Sequence, residues 1–231
     1  MKKTNEELKK TIIEKSKLSA EEKEKIYKTY FKNWQNQHEY LLKRFDISFN
    51  EKILDIGCGY GNNLIHFPND SIGIEANPTI AEFGQSLGLN ILPINVEDDL
   101  LTINQKFNLI WCSDLLVHVV SPYKFLHDCR NVLKEKGRII IQIPLMSIFN
   151  KHRSTCHLYS FNKKSLLYLS EMAGFNVIKT SGFIRKKPRW FNYIFEPLLQ
   201  IYGGNIWFLA EKKIETPVNF QKVCFPKWFK I

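Results

Sequence analysis

The chain alternates short apolar runs with amphipathic stretches, and this alternation predicts strands separated by helices. Five apolar runs lie between residues 53 and 143, and two more follow in the last third of the chain. Short buried strands that alternate with helices are typical of a parallel sheet covered on both faces. The strands are predicted at 53–56, 71–75, 90–94, 107–112, 138–143, 175–180 and 205–210.

The stretches between the strands carry helix-start and helix-stop signals. Ser19, Asn77 and Asn162 are suited to cap helices, and glycines follow two of the apolar-periodic stretches. A helix-like stretch is also predicted to begin at Asn62–Asn63. The other predicted helices occupy residues 3–17, 20–45, 78–87, 122–133 and 163–173.

The pattern divides the chain into three parts. Residues 1–48 are predicted to form a helical segment or lid, residues 49–214 the α/β domain, and residues 215–231 a tail. Within the domain, the last two strands are predicted to form a hairpin around an insertion at 182–204. The length of 231 residues suits one large α/β domain with such an appendage.

The formal net charge of +10 is distributed unevenly. Residues 51–150 carry 7 Lys or Arg and 11 Asp or Glu, whereas residues 151–231 carry 14 and 4. The C-terminal excess favours an anionic partner such as a phosphate-bearing substrate, a nucleic acid or an anionic membrane surface. A solvated, solubilising surface is the alternative.

The cysteines and the apolar runs indicate a cytoplasmic protein. The five cysteines form no CxxC pair, so free thiols in a reducing compartment are expected. The Lys- and Glu-rich N-terminus does not resemble a signal peptide, and no apolar run approaches transmembrane length.

A glycine-rich loop follows the first strand. Gly57, Gly59 and Gly61 alternate with other residues directly after the run that contains Asp55. Glycine is required where the backbone has positive φ or where a ligand approaches too closely for a Cβ. The loop is therefore a candidate nucleotide-type binding loop.

Acidic residues recur at the ends of successive predicted strands. They are Asp55, Glu75, the cluster Glu97–Asp98–Asp99 and Asp114. Ligands of open parallel sheets bind at the carboxyl edge, where the strand order reverses. At that edge Glu75, 20 residues after Asp55 in the sequence, is placed to accept both hydroxyls of a ribose.

Two classes of ligand compete for this edge. A dinucleotide fingerprint requires Gly-x-Gly-x-x-Gly, but Asn62 occupies the position of its last glycine. Asp55 also disfavours a pyrophosphate beside the loop. These acidic residues are compatible with a ligand that carries an ammonium and a sulfonium group.

From Lys52 to Lys212 the sequence resembles the class I S-adenosylmethionine-dependent methyltransferases, especially their small-molecule branch. The segment 53–61 resembles their first motif, 114–119 the segment after the fourth strand, and 157–175 a stretch found in sugar and polysaccharide enzymes. Two positions depart from the pattern: Val117 replaces a common Glu, and Glu135–Lys136 replaces Pro-Gly.

The resemblance implies a Rossmann-like, doubly wound α/β sheet of seven mostly parallel strands, with the last strand antiparallel and the N-terminal helices added. It implies S-adenosylmethionine as cofactor, and it identifies cofactor-binding candidates in the glycine loop and at the strand ends. These are Asp55, Gly57, Cys58, Gly59, Gly61, Asn62, Glu75, Ala76, Glu97, Asp98 and Asp114.

The expected reaction is methyl transfer to a small-molecule, sugar or glycan-type acceptor, in the first place O-methylation. A hydroxyl acceptor needs a base, for which His118 and His157 are preferred among candidates that also include His152, Tyr159 and Asp114. Tyr30, Arg153 and Tyr159 are candidate substrate-binding residues, and no ligand cluster suggests a metal. The alternatives are an RNA or protein methyltransferase and a non-catalytic cofactor-binding domain.

The basic and aromatic insertion has three interpretations. The first is a lid over the acceptor pocket, and the second is peripheral membrane contact through residues 185–202. Nucleic-acid contact ranks last because no recognised RNA-binding module accompanies the cations.

Overall fold

The computed structural model of the protein describes residues 5–15, 18–32, 40–48, 50–145, 156–182, 189–202 and 205–214. Three predictions concern residues outside these ranges. They are the contact of Arg153 with substrate, the part of the insertion at 183–188, and the tail at 215–231.

Seven strands form one sheet. They are β1 (Ile53–Ile56), β2 (Ile72–Ile74), β3 (Ile91–Leu92), β4 (Phe107–Ser113), β5 (Leu133–Pro144), β6 (Phe175–Gly182) and β7 (Asn205–Lys212). Their order is β3-β2-β1-β4-β5-β7-β6. All neighbours pair in parallel except β7, which is antiparallel to both β5 and β6. The predicted Rossmann-like α/β fold with an antiparallel last strand is confirmed.

Helices cover the sheet. They are α1 (Asn5–Lys15), α2 (Ala20–Ile26), α3 (40–44), α4 (Pro78–Ser86), α5 (Val96–Asp99), α6 (Pro122–Val132), α7 (Lys163–Met172) and α8 (Arg189–Tyr202). The predicted caps are present, because Ser19, Asn77 and Asn162 each accept backbone N–H groups of the first helical turn.

Each face of the sheet buries its own apolar cluster, because successive side chains of a strand point to opposite faces. On one face, Leu126 of α6 and Leu166 of α7 pack against the strands. On the other, Leu41 of α3 and Ala81 of α4 pack around Trp111 and its neighbours. This double cover is what the continuous apolar strands predicted.

The N-terminal helices pack against α4. Leu8 and Ile12 of α1 join Phe31, Phe83 and Leu87 in a third apolar cluster. Within the helix predicted over 20–45, residues 27–31 form a wider, π-helical turn, and residues 33–39 lie outside the described residues. Such turns occur frequently at functional sites.

The prediction that a helix begins at Asn62–Asn63 is wrong. Only one 3₁₀ turn forms there, at Leu64–His66. Pro68 explains the early end, since the residue before a proline is displaced from the helical region and Phe67 is extended. The glycine loop therefore cannot act through the dipole of a long helix.

The insertion predicted at 182–204 contains a regular helix, α8, which the sequence analysis did not identify. None of the helices in the described ranges has the length and apolar character needed to cross a bilayer.

Candidate active site

A cavity of about 400 Å³ opens at the carboxyl edge of the sheet, where β1 and β4 end. Its volume lies within the range of about 300–1,000 Å³ that is usual for small-molecule sites. Among the described residues, it is lined by Thr29, Tyr30, Gly57, Cys58, Gly59, Tyr60, Asn62, Asn63, Ile80, Ser113 and Asp114.

The loop after β1 has a backbone that favours glycine. Gly57, Gly59 and Gly61 have φ values of +70°, +55° and +84°. A Cβ built on Gly61 would overlap the side chain of Leu89. The Gly57 and Cys58 N–H groups both donate to the Ile74 carbonyl at 2.9 Å, which holds the loop against β2.

The Glu75 carboxylate follows β2 and faces this loop. It accepts a hydrogen bond from the Gly59 N–H at 3.1 Å and one from the Asn77 N–H at 2.9 Å. These two bonds fix the carboxylate beside the glycine loop, while each oxygen retains further acceptor capacity. Such a carboxylate is suited to bind a vicinal diol.

The π-helical turn supplies an aromatic wall. The rings of Tyr30 and Tyr60 lie 4.9 Å apart, and Tyr60 contacts Phe83 edge-on at 5.3 Å. Partial burial, with Tyr30 and Glu75 nearby, raises the pKa of the Tyr60 hydroxyl. The predicted candidate Tyr30 therefore lies at the cavity, next to residues that the sequence analysis did not select.

Asp55 lies beneath the loop and does not line the cavity. Its side chain is 1% exposed, and burial raises its carboxyl pKa well above the ordinary value, with Glu75 adding to the effect. The Leu64 N–H opposes the rise. Burial likewise raises the pKa of the Cys58 thiol, so this cavity residue stays protonated.

At the end of β4, polar side chains of three strands meet. The Gln142 amide donates to Asp114 Oδ1 at 2.8 Å and to Asn205 Oδ1 at 3.1 Å, and its oxygen accepts from Ser113 at 2.6 Å. Asp114 has a left-handed φ of +57°, which is uncommon for a non-glycine residue. The network therefore holds a strained acidic residue at the wall of the cavity.

Beyond Asp114, the two candidate catalytic histidines come together. The rings of His118 and His157 lie 4.9 Å apart at an interplanar angle of 73°. His118 Nδ1 lies 3.0 Å from the Cys156 carbonyl oxygen. A carbonyl only accepts, so Nδ1 carries a proton, and in the neutral imidazole the lone pair is then on Nε2. Neither histidine is among the residues that line the cavity.

Cys156 completes a group of potential ligands. One donor atom each from His118, Cys156 and His157 lie within 4.8 Å of one another. The sequence suggested no metal, because Cys156, which is adjacent to His157, lies 38 residues from His118.

The segment around His157 is fixed to the segment after β4. The Leu158 N–H donates to the Val117 carbonyl at 2.8 Å, and the Tyr159 hydroxyl donates to the Val120 carbonyl at 2.6 Å. The Tyr159 hydroxyl, which was predicted to bind substrate, thus already donates its proton to a carbonyl of the protein.

The remaining acids have structural partners. Glu97 Oε1 accepts the Val120 N–H at 2.7 Å, and Asp98 Oδ2 accepts the Asn95 amide at 2.9 Å. Ala76 is exposed beside Glu75. Six predicted cofactor-binding residues do not line the cavity: Asp55, Gly61, Glu75, Ala76, Glu97 and Asp98. Their contact with the cofactor stays a prediction.

The cavity suits S-adenosylmethionine on its chemistry. The glycine backbone leaves room for close approach, and Glu75, beside the glycine loop but outside the cavity lining, offers acceptors for ribose hydroxyls. Asp114 places an acidic group at the wall, which favours a cationic ligand. The sequence did not identify six further residues at this site, which are Thr29, Tyr60, Asn63, Ile80, Ser113 and Gln142. The first five lie close in sequence to predicted site residues, and this closeness is the only signal that could have identified them.

Comparison with known proteins identifies a family and several relatives of this chain. A family model described as "Methyltransferase domain" matches residues 27–180. The ubiquinone biosynthesis O-methyltransferase of Glaesserella parasuis is 35% identical over 115 residues, which are 44% of this chain and 49% of that protein. The first curated relatives are thus matched over roughly half to three fifths of their length.

Solved structures share the fold. A SAM-dependent methyltransferase from Archaeoglobus fulgidus superposes with a TM-score of 0.58 at 18% identity, covering 77% of this chain and 94% of that one. A structure from Thermotoga maritima described as a possible histamine N-methyltransferase gives 0.59 at 18% identity, covering 81% and 94%. The chain belongs to the methyltransferase-domain family.

Proposed function

We propose that the protein transfers a methyl group from S-adenosylmethionine to a hydroxyl of a small-molecule, sugar or glycan-type acceptor. The observation that carries this proposal is the pair His118 and His157, which follows the Asp114 wall of the cavity. A relative named as an O-methyltransferase supports a hydroxyl acceptor.

When bound, S-adenosylmethionine supplies an activated methyl group, whose bond to sulfur breaks as the bond to the acceptor oxygen forms. The protein must align the acceptor and remove its hydroxyl proton. The Glu75 carboxylate and the glycine loop hold the donor side, whereas the side chains after β4 face the acceptor.

His118 is the proposed general base. Its Nδ1–H donates to the Cys156 carbonyl, which orients the ring and leaves Nε2 to accept the proton of the acceptor hydroxyl. His157 packs edge-on against this ring and fixes its position. The two histidines, predicted as alternative bases, thereby receive distinct roles that can be tested separately.

The acceptor is proposed to carry an anionic group. Residues 151–231 hold 14 of the 33 Lys and Arg residues but only 4 of the 23 Asp and Glu residues. An anionic group on the acceptor would be attracted to this part of the chain. Arg153 remains a candidate for a direct ion pair.

A binding experiment tests the cofactor. Isothermal titration of the purified chain with S-adenosylmethionine, with its demethylated product and with NAD should give heat for the first two only. Absence of heat for both sulfur compounds would overturn the proposal, and heat for NAD alone would indicate a dinucleotide site.

A transfer experiment tests the acceptor class. Radiolabelled methyl groups are followed into phenolic and sugar hydroxyl compounds, each with and without a phosphate, and into RNA and protein substrates. Incorporation confined to RNA or protein would favour the alternative class of methyltransferase. Cofactor binding without incorporation into any substrate would favour a non-catalytic domain.

A further inference from the structure

One face of α8 is apolar and exposed. Trp190, Ile194 and Leu198 follow one another at intervals of four residues, which places them along one side of the helix. Their side chains are 61%, 65% and 53% exposed. We call these three residues the outer face of α8. Large exposed apolar residues in a row mark interaction surfaces more often than single ones do.

The opposite face of α8 is fixed to the protein. Glu196 forms an ion pair with Arg44 of α3 at 2.7 Å, and Gln200 accepts from the Thr180 hydroxyl of β6 at 2.7 Å. Leu199 is buried, and a Cβ on Gly182 would overlap its backbone. The helix is therefore held rigidly, and its outer face is turned away from these contacts.

The topology places α8 at the ligand edge of the sheet. Because β7 is antiparallel to both β5 and β6, β6 runs in the same direction as β5. The end of β6 at Gly182 and the start of β7 at Asn205 therefore lie at the carboxyl edge, which also carries the cavity. None of the described α8 residues lines that cavity.

The sequence before the outer face is strongly cationic. Four cations, Arg185, Lys186, Lys187 and Arg189, precede Trp190 within six positions, while α8 itself contains a single acid, Glu196, already paired with Arg44. Cations beside a Trp-containing apolar helix face are the pattern of helices that lie in the interface of anionic membranes.

We propose that the outer face of α8 docks the protein on an anionic phospholipid membrane surface. The apolar side chains enter the boundary between headgroups and acyl chains, and the neighbouring cations contact lipid phosphates. The carboxyl edge of the sheet, to which both ends of the α8 segment connect, then lies near the membrane surface. The proposal does not depend on methyl transfer, because it uses only the shape and charge of this surface.

A second copy of the chain fits the surface less well. In a two-fold symmetric contact through the outer face, each copy would bring cations that precede Trp190 by one to five residues in the sequence. Like charges across an interface oppose association. Single-stranded nucleic acid fits less well too, because Ile194 and Leu198 offer no aromatic surface on which bases stack.

The test is cosedimentation of the full chain with vesicles. Binding to vesicles of phosphatidylcholine and phosphatidylglycerol should be much stronger than binding to pure phosphatidylcholine, and it should weaken as salt rises. The double variant Trp190→Gln with Ile194→Gln should lower binding roughly tenfold or more. Ile13→Gln, at a half-exposed position of α1, is the matched control and should bind as the wild type does.

The same samples test the other occupants. Sedimentation velocity gives the oligomeric state, and a homopolymer RNA is titrated without vesicles. The proposal is overturned if the double variant binds anionic vesicles like the wild type or if the wild type does not bind them. It is also overturned if the double substitution leaves vesicle binding intact but converts a dimer to a monomer or abolishes RNA binding. All substituted side chains are exposed, so the variants should unfold at the wild-type temperature.

Discussion

The two halves of the ligand edge are built in different ways. On the side of β1 and β2, the glycine loop is fixed by hydrogen bonds between its backbone, the Ile74 carbonyl and the Glu75 carboxylate. On the side of β4 and β5, the edge depends on side chains such as Gln142 and His118, whose partners are distant in sequence. The first half needs particular residues at fixed spacing, whereas the second allows many combinations.

This difference explains why a cofactor is easier to identify than an acceptor. A loop that requires positive φ at three alternating positions accepts few residues other than glycine. A network of long-range side-chain contacts leaves no comparable local pattern. Substitutions in each half of the ligand edge test this difference, and the largest effect is expected at His118.

His118→Asn should have the largest effect, because it acts on the proton transfer. The asparagine amide can still donate to the Cys156 carbonyl, while the nitrogen that accepts the proton is removed. We expect kcat to fall by roughly 10²–10⁴-fold, the usual contribution of a general base. Affinity for S-adenosylmethionine should be unchanged in titration calorimetry.

His127→Asn is the control for this change, since His127 is a partly exposed histidine of α6. His157→Gln separates the positioning role: it should lower kcat less than His118→Asn and should leave the pH dependence of kcat in place. If His157→Gln abolishes the pH-dependent limb while His118→Asn preserves it, the two roles are exchanged.

Glu75→Ala should have the next largest effect, and it acts on the other half. The substitution removes the acceptor of the Gly59 and Asn77 N–H groups and the proposed ribose contact. Loss of a charged hydrogen-bond partner costs about 1.5–3 kcal/mol, so affinity for S-adenosylmethionine should fall roughly ten- to hundredfold by calorimetry. Glu82→Ala on the exposed side of α4 is the control, and equal affinities for the two variants would mean that the ribose is placed wrongly.

The sequence predicted the first half closely and the second half only in outline. Strand positions follow from continuous apolar runs, and Glu75 follows from its place after β2. The 3₁₀ turn at Leu64–His66 was missed because the effect of Pro68 outweighed the helix-like pattern. Gln142 was missed because its partners, Asp114 and Asn205, are 28 and 63 residues away.

Tyr30→Ala should have a smaller effect, and it decides between the substrate contact predicted from the sequence and a cofactor contact beside the glycine loop, which we expect from its place in the cavity. Tyr30 adds one ring to the wall formed by Tyr60 and Phe83. Because an aromatic pair contributes about 0.5–1.5 kcal/mol beyond burial, the affinity for S-adenosylmethionine should fall roughly two- to tenfold. Tyr168→Ala, at an exposed tyrosine of α7, should leave affinity unchanged. Equal losses in both variants would exclude a specific contact of Tyr30.

Asp55→Asn should change how stability depends on pH. Burial raises the carboxyl pKa of Asp55 in the folded protein, so the folded state binds more protons than the unfolded state once pH exceeds the ordinary carboxyl range. The stability that this carboxyl contributes is therefore present at low pH and is lost as pH rises through the raised pKa. The asparagine variant is neutral at this position and does not lose this stability as pH rises.

Denaturant unfolding at about pH 5.5 and about pH 8.5 measures the effect. The free energy of unfolding of Asp55→Asn, relative to wild type, should be larger at the higher pH. Asp70→Asn is the control because Asp70 is exposed. A difference that stays constant with pH, or that shrinks, would mean that Asp55 is ionised in the folded protein.

Removal of metal should have the smallest effect, and it decides whether the second half works by proton transfer or by coordination. The donor atoms of His118, Cys156 and His157 lie within 4.8 Å of one another, but the proposed proton transfer uses only Nε2 of His118 and needs no metal. We therefore expect full activity after treatment with a chelator and gel filtration. Activity that is lost and then restored by Zn²⁺, but not by Mg²⁺, would make the two histidines metal ligands. Cys156→Ser, which changes the sulfur donor and keeps the Cys156 carbonyl bond to His118, should then lose activity as well; with a proton-transfer mechanism it should retain it.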